Sequence, residues 1–240
     1  MEFFKNTFLR KVLLKNRIAK VLEILIVFIV ATLIVSITQI FAGDDPILRQ
    51  SIVWLANITM LFLVWLGLKI RGQTFKSLGL KFTTSKLKLI LLSFVVFFAA
   101  IVGFMLGSIV IANITGIPSA ADMSGYNYME GNLPMLVFAL VAVFIASSFG
   151  EEVIYRGFLI TRISEIGNNS KIWSWSAVLV SSIIFGLVHF DWGLMGIGQT
   201  FFMGLALGIS YIKLNRNLWI LVFAHAYMDA ILMVQMYLGL

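Results

Sequence analysis

The sequence predicts an all-α fold, a polytopic bundle of about seven transmembrane helices with the N-terminus on the cytoplasmic side. Three observations lead there. Of the 240 residues, 60% are hydrophobic and 12% charged, and the mean hydropathy is +1.00. A soluble domain carries about a quarter of its residues as charges. Apolar runs recur along the chain at about 20 residues each, the length that crosses a hydrocarbon layer of ~30 Å. Finally, lysine and arginine are concentrated in alternate connections.

The apolar runs lie at about 21–42, 51–70, 87–115, 133–156, 172–190, 193–212 and 217–239. Turn signals separate them: Gly43-Asp44-Asp45-Pro46, Arg71-Gly72-Gln73, Gly116-Ile117-Pro118, Gly167-Asn168-Asn169-Ser170, Asp191-Trp192-Gly193 and Asn215-Arg216-Asn217. Of the 18 Lys and Arg, six precede the first run, six border the second connection, three the fourth and two the sixth. Only Arg49 falls on the opposite side, whose loops hold Asp44, Asp45, Asp122, Glu130 and Asp191. That skew is the positive-inside pattern, which places the N-terminus inside and, with seven spans, the C-terminus outside. The net charge of +7 is therefore topological and implies no nucleic-acid partner.

Three segments follow. Residues 1–20 read as a basic, partly amphipathic helix on the inner membrane surface. A cleaved signal peptide fits less well, because the next apolar run is too long and no small-residue cleavage site ends it. Residues 21–130 are N-terminal membrane helices and loops that contribute topology, and 131–240 form the core that carries the chemistry. The chain has no cysteine, so disulfides and thiolate metal sites do not arise. Gly103/Gly107 and Gly204/Gly208 have the spacing that lets membrane helices approach closely.

Ionisable residues inside a span are costly, roughly 2.5–3.5 kcal/mol each near the bilayer centre, so their presence is informative. The fourth run holds Glu151, Glu152 and Arg156, the fifth ends Phe185-Gly186-Leu187-Val188-His189, and the seventh holds His225 and Asp229. Both histidines of the chain are in this set. Glu23 is near enough to the inner end of its helix to snorkel. Glu152 and Arg156, four apart, share a helix face and pair. Glu151 is rotated about 100° away and is free to face a cavity. His225 and Asp229 also stand four apart on one stripe. Each group has a purely structural reading: an ion pair, a histidine on a backbone carbonyl, an interhelical hydrogen bond. Taken together they point instead to one shared site.

Several protease designs are excluded by motif. There is no H-E-x-x-H for zinc, no second membrane aspartate for a dyad, no G-x-S-G and no cysteine. General-base hydrolysis remains, with a carboxylate activating water and a donor stabilising the oxyanion. A zinc site built from His189, His225 and a carboxylate is the mechanistic rival.

Glu151-Glu152-Val153-Ile154-Tyr155-Arg156 resembles the E-E-x-x-x-R signature of the CAAX-protease and bacteriocin-processing family of intramembrane proteases (CPBP, also ABI), which includes the type II CAAX prenyl endopeptidases. Phe185 to His189 resembles its F-x-x-x-H motif and His225 to Asp229 its H-x-x-x-N/D motif. The resemblance covers about 133–239. It implies a metal-free, cofactor-free glutamate endopeptidase acting on a membrane-associated peptide or protein, in a bacterial cell membrane. Glu151 would be the general base, His189 would orient the water, and His225 with the residue at 229 would bind the oxyanion. Glu152 and Arg156 would brace the site, in agreement with their spacing. Position 229 is Asp, which when ionised donates no hydrogen bond; it is either protonated or it orients His225, and the second is the preferred reading. Two other functions compete: a non-catalytic immunity or regulatory scaffold that keeps the motifs, and a proton-coupled carrier. With straight helices His189 would lie deep and His225 shallow, so a shared site demands a tilt or a re-entrant break.

Overall fold

The computed structural model describes residues 8–43, 45–116 and 124–239, and every regular element among them is helical. Asp44, Ile117, Pro118 and Asp122, and the first seven residues with Lys5, which entered the turn, charge and surface-helix readings, lie outside the described residues. The helices are α1 (Phe8–Lys15), α2 (Arg17–Ala42), α3 (Pro46–Arg71), α4 (Lys86–Thr115), α5 (Leu133–Ile166), α6 (Lys171–Leu187), α7 (Gly193–Lys213) and α8 (Leu218–Leu238). Six of them are long and apolar enough to cross a membrane, and α6 is a shorter apolar helix of 17 residues. The chain is an integral membrane protein.

The termini are set by local chemistry. The surface helix ends at Lys15, not Lys20, because Asn16 starts the next one: its Oδ1 accepts from the amides of Ile18 at 2.8 Å and Ala19 at 3.3 Å. Asp45 caps α3 in the same way, with Pro46 in the first turn. Ser85, Asn132 and Ser170 cap α4, α5 and α6. Gly72 and Gly116 end α3 and α4 in the left-handed conformation.

α5 departs most from the sequence reading. It continues ten residues past the expected end at 156, to Ile166. Most of its charges are paired within the protein, Glu152 with Arg156 and Arg162 with Glu165, and so do not end it. It also widens into π-helical geometry over Phe144–Phe149 and Glu152–Leu159, on both sides of Glu151. Such widening loosens the backbone ladder, and neighbouring helices supply donors: Asn57 Nδ2 reaches the Ala146 carbonyl at 3.3 Å and Ser181 Oγ the Tyr155 carbonyl at 2.9 Å.

Around α5, α4 packs on α7 and α8, and α6 packs on α7, while α2 rests on α3 and on the last turns of α5. The glycine pairs make two of these contacts. A Cβ on Gly103 would lie 2.6 Å from the Phe202 carbonyl oxygen, and one on Gly107 2.4 Å from that of Gly198, so α4 and α7 touch backbone to backbone. Gly204 and Gly208 sit over Ser182 and Val178 of α6.

Where the N-terminal part of α2 meets the C-terminal ends of α3 and α5, a buried ion network forms. Arg71 pairs with Glu23 and with Glu165 at 3.4 Å, and Arg162 with Glu23 at 3.3 Å and Glu165 at 3.0 Å. Glu23 therefore does not snorkel. Two guanidiniums hold it, and Arg71 and Arg162, counted as loop charges from sequence, are themselves each 1% exposed.

Candidate active site

Glu151, His189, His225 and Asp229 line a single cavity of about 490 Å³ between α2 and α3 on one side and α4, α5 and α8 on the other. The depth conflict is resolved by an offset between helices, not by a break in either one. Trp173 of α6 packs against Gly167, whereas Leu218 of α8 packs against Gly157, ten residues further along α5. At a rise of ~1.5 Å per residue, α8 starts about 15 Å deeper in the membrane than α6. That offset nearly matches the difference between 18 residues from Lys171 to His189 and seven from Leu218 to His225. His189 lies in the turn after α6, since that helix ends at Leu187 and not at 190.

The two adjacent glutamates have different surroundings. Glu152 is 0% exposed, and its Oε1 accepts from Arg156 Nη1 at 2.8 Å and lies 2.9 Å from His225 Nδ1. The Arg156 guanidinium also lies over the Phe185 ring at 4.2 Å. Two cation-capable groups thus share one carboxylate oxygen, and a buried charge needs such partners. Glu151 Oε1 accepts one hydrogen bond, from Asn57 Nδ2 at 3.3 Å. Its Oε2 has no hydrogen-bond partner among the described residues. Glu152 Oε2 likewise has no partner among the described residues, so what separates the neighbours is place: Glu152 is closed in by Arg156 and His225, and Glu151 lines the cavity.

The histidines are held by different devices. His189 Nδ1 is 2.7 Å from the Phe185 carbonyl oxygen, which can only accept. Nδ1 thus carries the hydrogen and Nε2 a lone pair. Phe185 and Trp192 flank this ring, each with a centroid 4.8 Å away. His225 is 3% exposed, with Nδ1 on Glu152 and Nε2 3.6 Å from Asp229 Oδ1, longer than a hydrogen bond. Asp229 Oδ2 accepts from Ser148 Oγ at 2.6 Å, so one oxygen of Asp229 is an acceptor and the other lies beside His225. The Phe185 ring bridges the two histidines, 6.3 Å from His225.

The sequence reading missed several contributors. Asn57 comes from α3, so the first 130 residues supply more than topology: α3 touches Glu151, and α2 and α3 wall the cavity. A lone asparagine inside an apolar run was a readable signal. Ser148 was readable on the same ground. Glu152 to His225 was not, because no spacing rule connects separate helices. Nor were Tyr126 and Trp192, which come from connections and line the cavity. Among the described residues, no group of three or more His, Asp and Glu is arranged to hold a metal ion. Glu152 and Asp229, the carboxylates beside His225, are engaged with Arg156 and Ser148.

Residues 133–231 match the family model described as Rce1-like, type II CAAX prenyl endopeptidase Rce1-like. The matched stretch runs from the first residue of α5 into α8 and contains every motif residue named above. No curated protein and no solved structure matches the chain.

Proposed function

We propose, on the match of residues 133–231 to the Rce1-like type II CAAX prenyl endopeptidase family model, that the chain is an intramembrane endopeptidase. It hydrolyses a peptide bond of a membrane-associated peptide or protein with water activated by Glu151. The observation that carries this reading is that Glu151 lines the cavity, accepting from Asn57, whereas its neighbour Glu152 does not line it and is engaged by Arg156 and His225.

The chemistry follows from the donors and acceptors. Water placed between the Glu151 carboxylate and the lone pair of His189 Nε2, both at the cavity, gives a proton to the carboxylate as it attacks the carbonyl carbon. The tetrahedral oxyanion then needs donors. His225 supplies one as the imidazolium: its Nδ1–H is committed to Glu152, and the second hydrogen, on Nε2 3.6 Å from Asp229 Oδ1, is uncommitted. Asp229 holds that ring in orientation and remains an acceptor for Ser148. Glu151 returns the proton to the departing amine. Burial in an apolar wall strengthens each of these interactions. The reaction as written uses neither metal nor cofactor; activity surviving dialysis against EDTA is the expected result, and loss restored by zinc would revive a metal site.

Glu151→Gln tests the assignment, since it removes the base with little change of shape. Purified wild-type and variant protein are reconstituted in liposomes and offered a membrane fraction from cells lacking the chain, and new peptide N-termini are identified by mass spectrometry. Termini produced by the wild type and absent with the variant are expected. Equal products from both sink the reading and favour the scaffold.

A further inference from the structure

The cavity is open toward one face of the membrane and closed toward the other. Three of the helices that line it, α2, α3 and α8, do so through their middle and through one end. That end carries Gln39 near the C-terminus of α2, Gln50 in the second turn of α3 and Gln235 in the last turn of α8. Tyr126 and Trp192 join them from the connections at the same end. Ser36 and Thr32 continue a polar stripe down α2 into the cavity. Three glutamines, a serine and a threonine in one wall of a membrane cavity imply water or a peptide backbone there, because unpartnered amides in lipid are costly.

The opposite end is sealed. Phe28 and Tyr155 meet edge-on with centroids 5.8 Å apart, and Tyr155 meets Phe185 at 5.1 Å, forming a floor. Beneath it Val64, Leu68, Leu78 and Phe158 are each at most 1% exposed. Below them stands the ion network of Glu23, Arg71, Arg162 and Glu165, which ties α2 to α3 and α5. The connections at this sealed end are the ones rich in lysine and arginine, which marks it as cytoplasmic.

We propose that the polypeptide segment cleaved at this site enters from the non-cytoplasmic face, so that the substrate class is an exported or externally displayed peptide segment, neutral or cationic, and not a cytosolic chain end. The charge preference follows from the wall: it holds Glu151, Asp191 and Asp229 and, among the described residues, no Lys or Arg. A segment bearing a free terminal carboxylate would meet no Lys or Arg there, and His225 already stands between the carboxylates of Glu152 and Asp229. The proposal rests on reading the cavity as the protease site, but its test does not require cleavage.

The chain has no cysteine, so single cysteines report access directly. Gln39→Cys and Gln50→Cys probe the mouth, and Ser77→Cys, exposed beyond the floor, marks the sealed face. Each is treated in intact spheroplasts and in inside-out vesicles with two impermeant methanethiosulfonates of similar size, one carrying trimethylammonium and one sulfonate. Both cavity cysteines are expected to react at least tenfold faster in spheroplasts, and Ser77→Cys at least tenfold faster in inside-out vesicles. The cationic reagent is expected to outpace the anionic one severalfold at Gln50→Cys, after correction for their rates with a free thiol. Cavity cysteines that react faster in inside-out vesicles, or equally from both sides, overturn external entry. Equal or reversed reagent preference overturns the charge assignment. The labelling pattern is unchanged by Glu151→Gln, so a chain labelled from outside but cleaving nothing sinks the protease reading alone.

Discussion

His225 Nδ1 lies 2.9 Å from Glu152 Oε1, the same oxygen that receives Arg156 Nη1 at 2.8 Å. Glu152 is thereby the link between two helices, α5 and α8, and not only a brace within one. Glu152→Gln leaves Arg156, 1% exposed, without its carboxylate. Breaking a buried pair from one side costs about 3–5 kcal/mol. Denaturation in detergent should show that loss, whereas Glu151→Gln should stay within about 1 kcal/mol of wild type, as surface-like changes do. Equal loss for both neighbours would refute the division of labour between them.

Asn57 Nδ2 donates to Glu151 Oε1 at 3.3 Å and so sets the carboxylate's rotation. Asn57→Leu removes that donor and the bond to Ala146, while adding an apolar side chain the helix tolerates. A hydrogen bond to a charged group contributes ~1.5–3 kcal/mol, so kcat should fall by about tenfold or more. Cleavage assays at saturating peptide would reveal it. An unchanged kcat means that Asn57 only holds the widened backbone of α5.

At the α4–α7 contact, Gly107→Ala places a methyl 2.4 Å from the Gly198 carbonyl oxygen. The helices must separate, and overpacking of this kind costs about 1–3 kcal/mol. Gly125→Ala meets open space and is the control, expected to be neutral in thermal unfolding. Similar midpoints for the two variants would contradict backbone-to-backbone contact.

Glu23→Leu leaves Arg71 and Arg162 to share Glu165. A loss of about 3 kcal/mol follows from the uncompensated buried charge. Because the pairs are buried, the loss should barely change between low and high salt. A salt-sensitive effect would instead identify Glu23 as a screened surface group, as snorkelling requires.

Restoring Asn at position 229 tests the reading of that side chain as an orienting acceptor. Asp229→Asn keeps the volume but turns its amide into a donor in one rotamer, so the bond from Ser148 and the attraction to His225 both weaken. Activity is expected to change by less than about tenfold, since the amide can itself bind an oxyanion. Complete loss of cleavage would show that the carboxylate is itself a proton carrier.

Helix number and order were legible in the chain because lipid leaves a backbone one solution: each long apolar run closes its own hydrogen bonds. The caps at Asn16, Asp45 and Ser85 are local too, each side chain reaching two or three residues ahead, but the reading of residues 1–20 as one helix passed over Asn16. Glu152 with Arg156 was legible too, because four residues return a helix to the same face. What happens between helices was not. The pairing of Glu152 with His225, the reach of Asn57 to Glu151 and the burial of Glu23 between two arginines depend on which faces meet. No periodicity encodes that choice. The offset that levels His189 with His225 is set by Trp173 on Gly167, a contact across one turn, and by Leu218 on Gly157, a contact between residues distant in sequence. Composition and period thus determined a membrane bundle with a polar seam. Spacing also assigned Glu152 to Arg156 and freed Glu151; only packing brought His225 to Glu152 and Asn57 to Glu151, because that depends on the helices each meets.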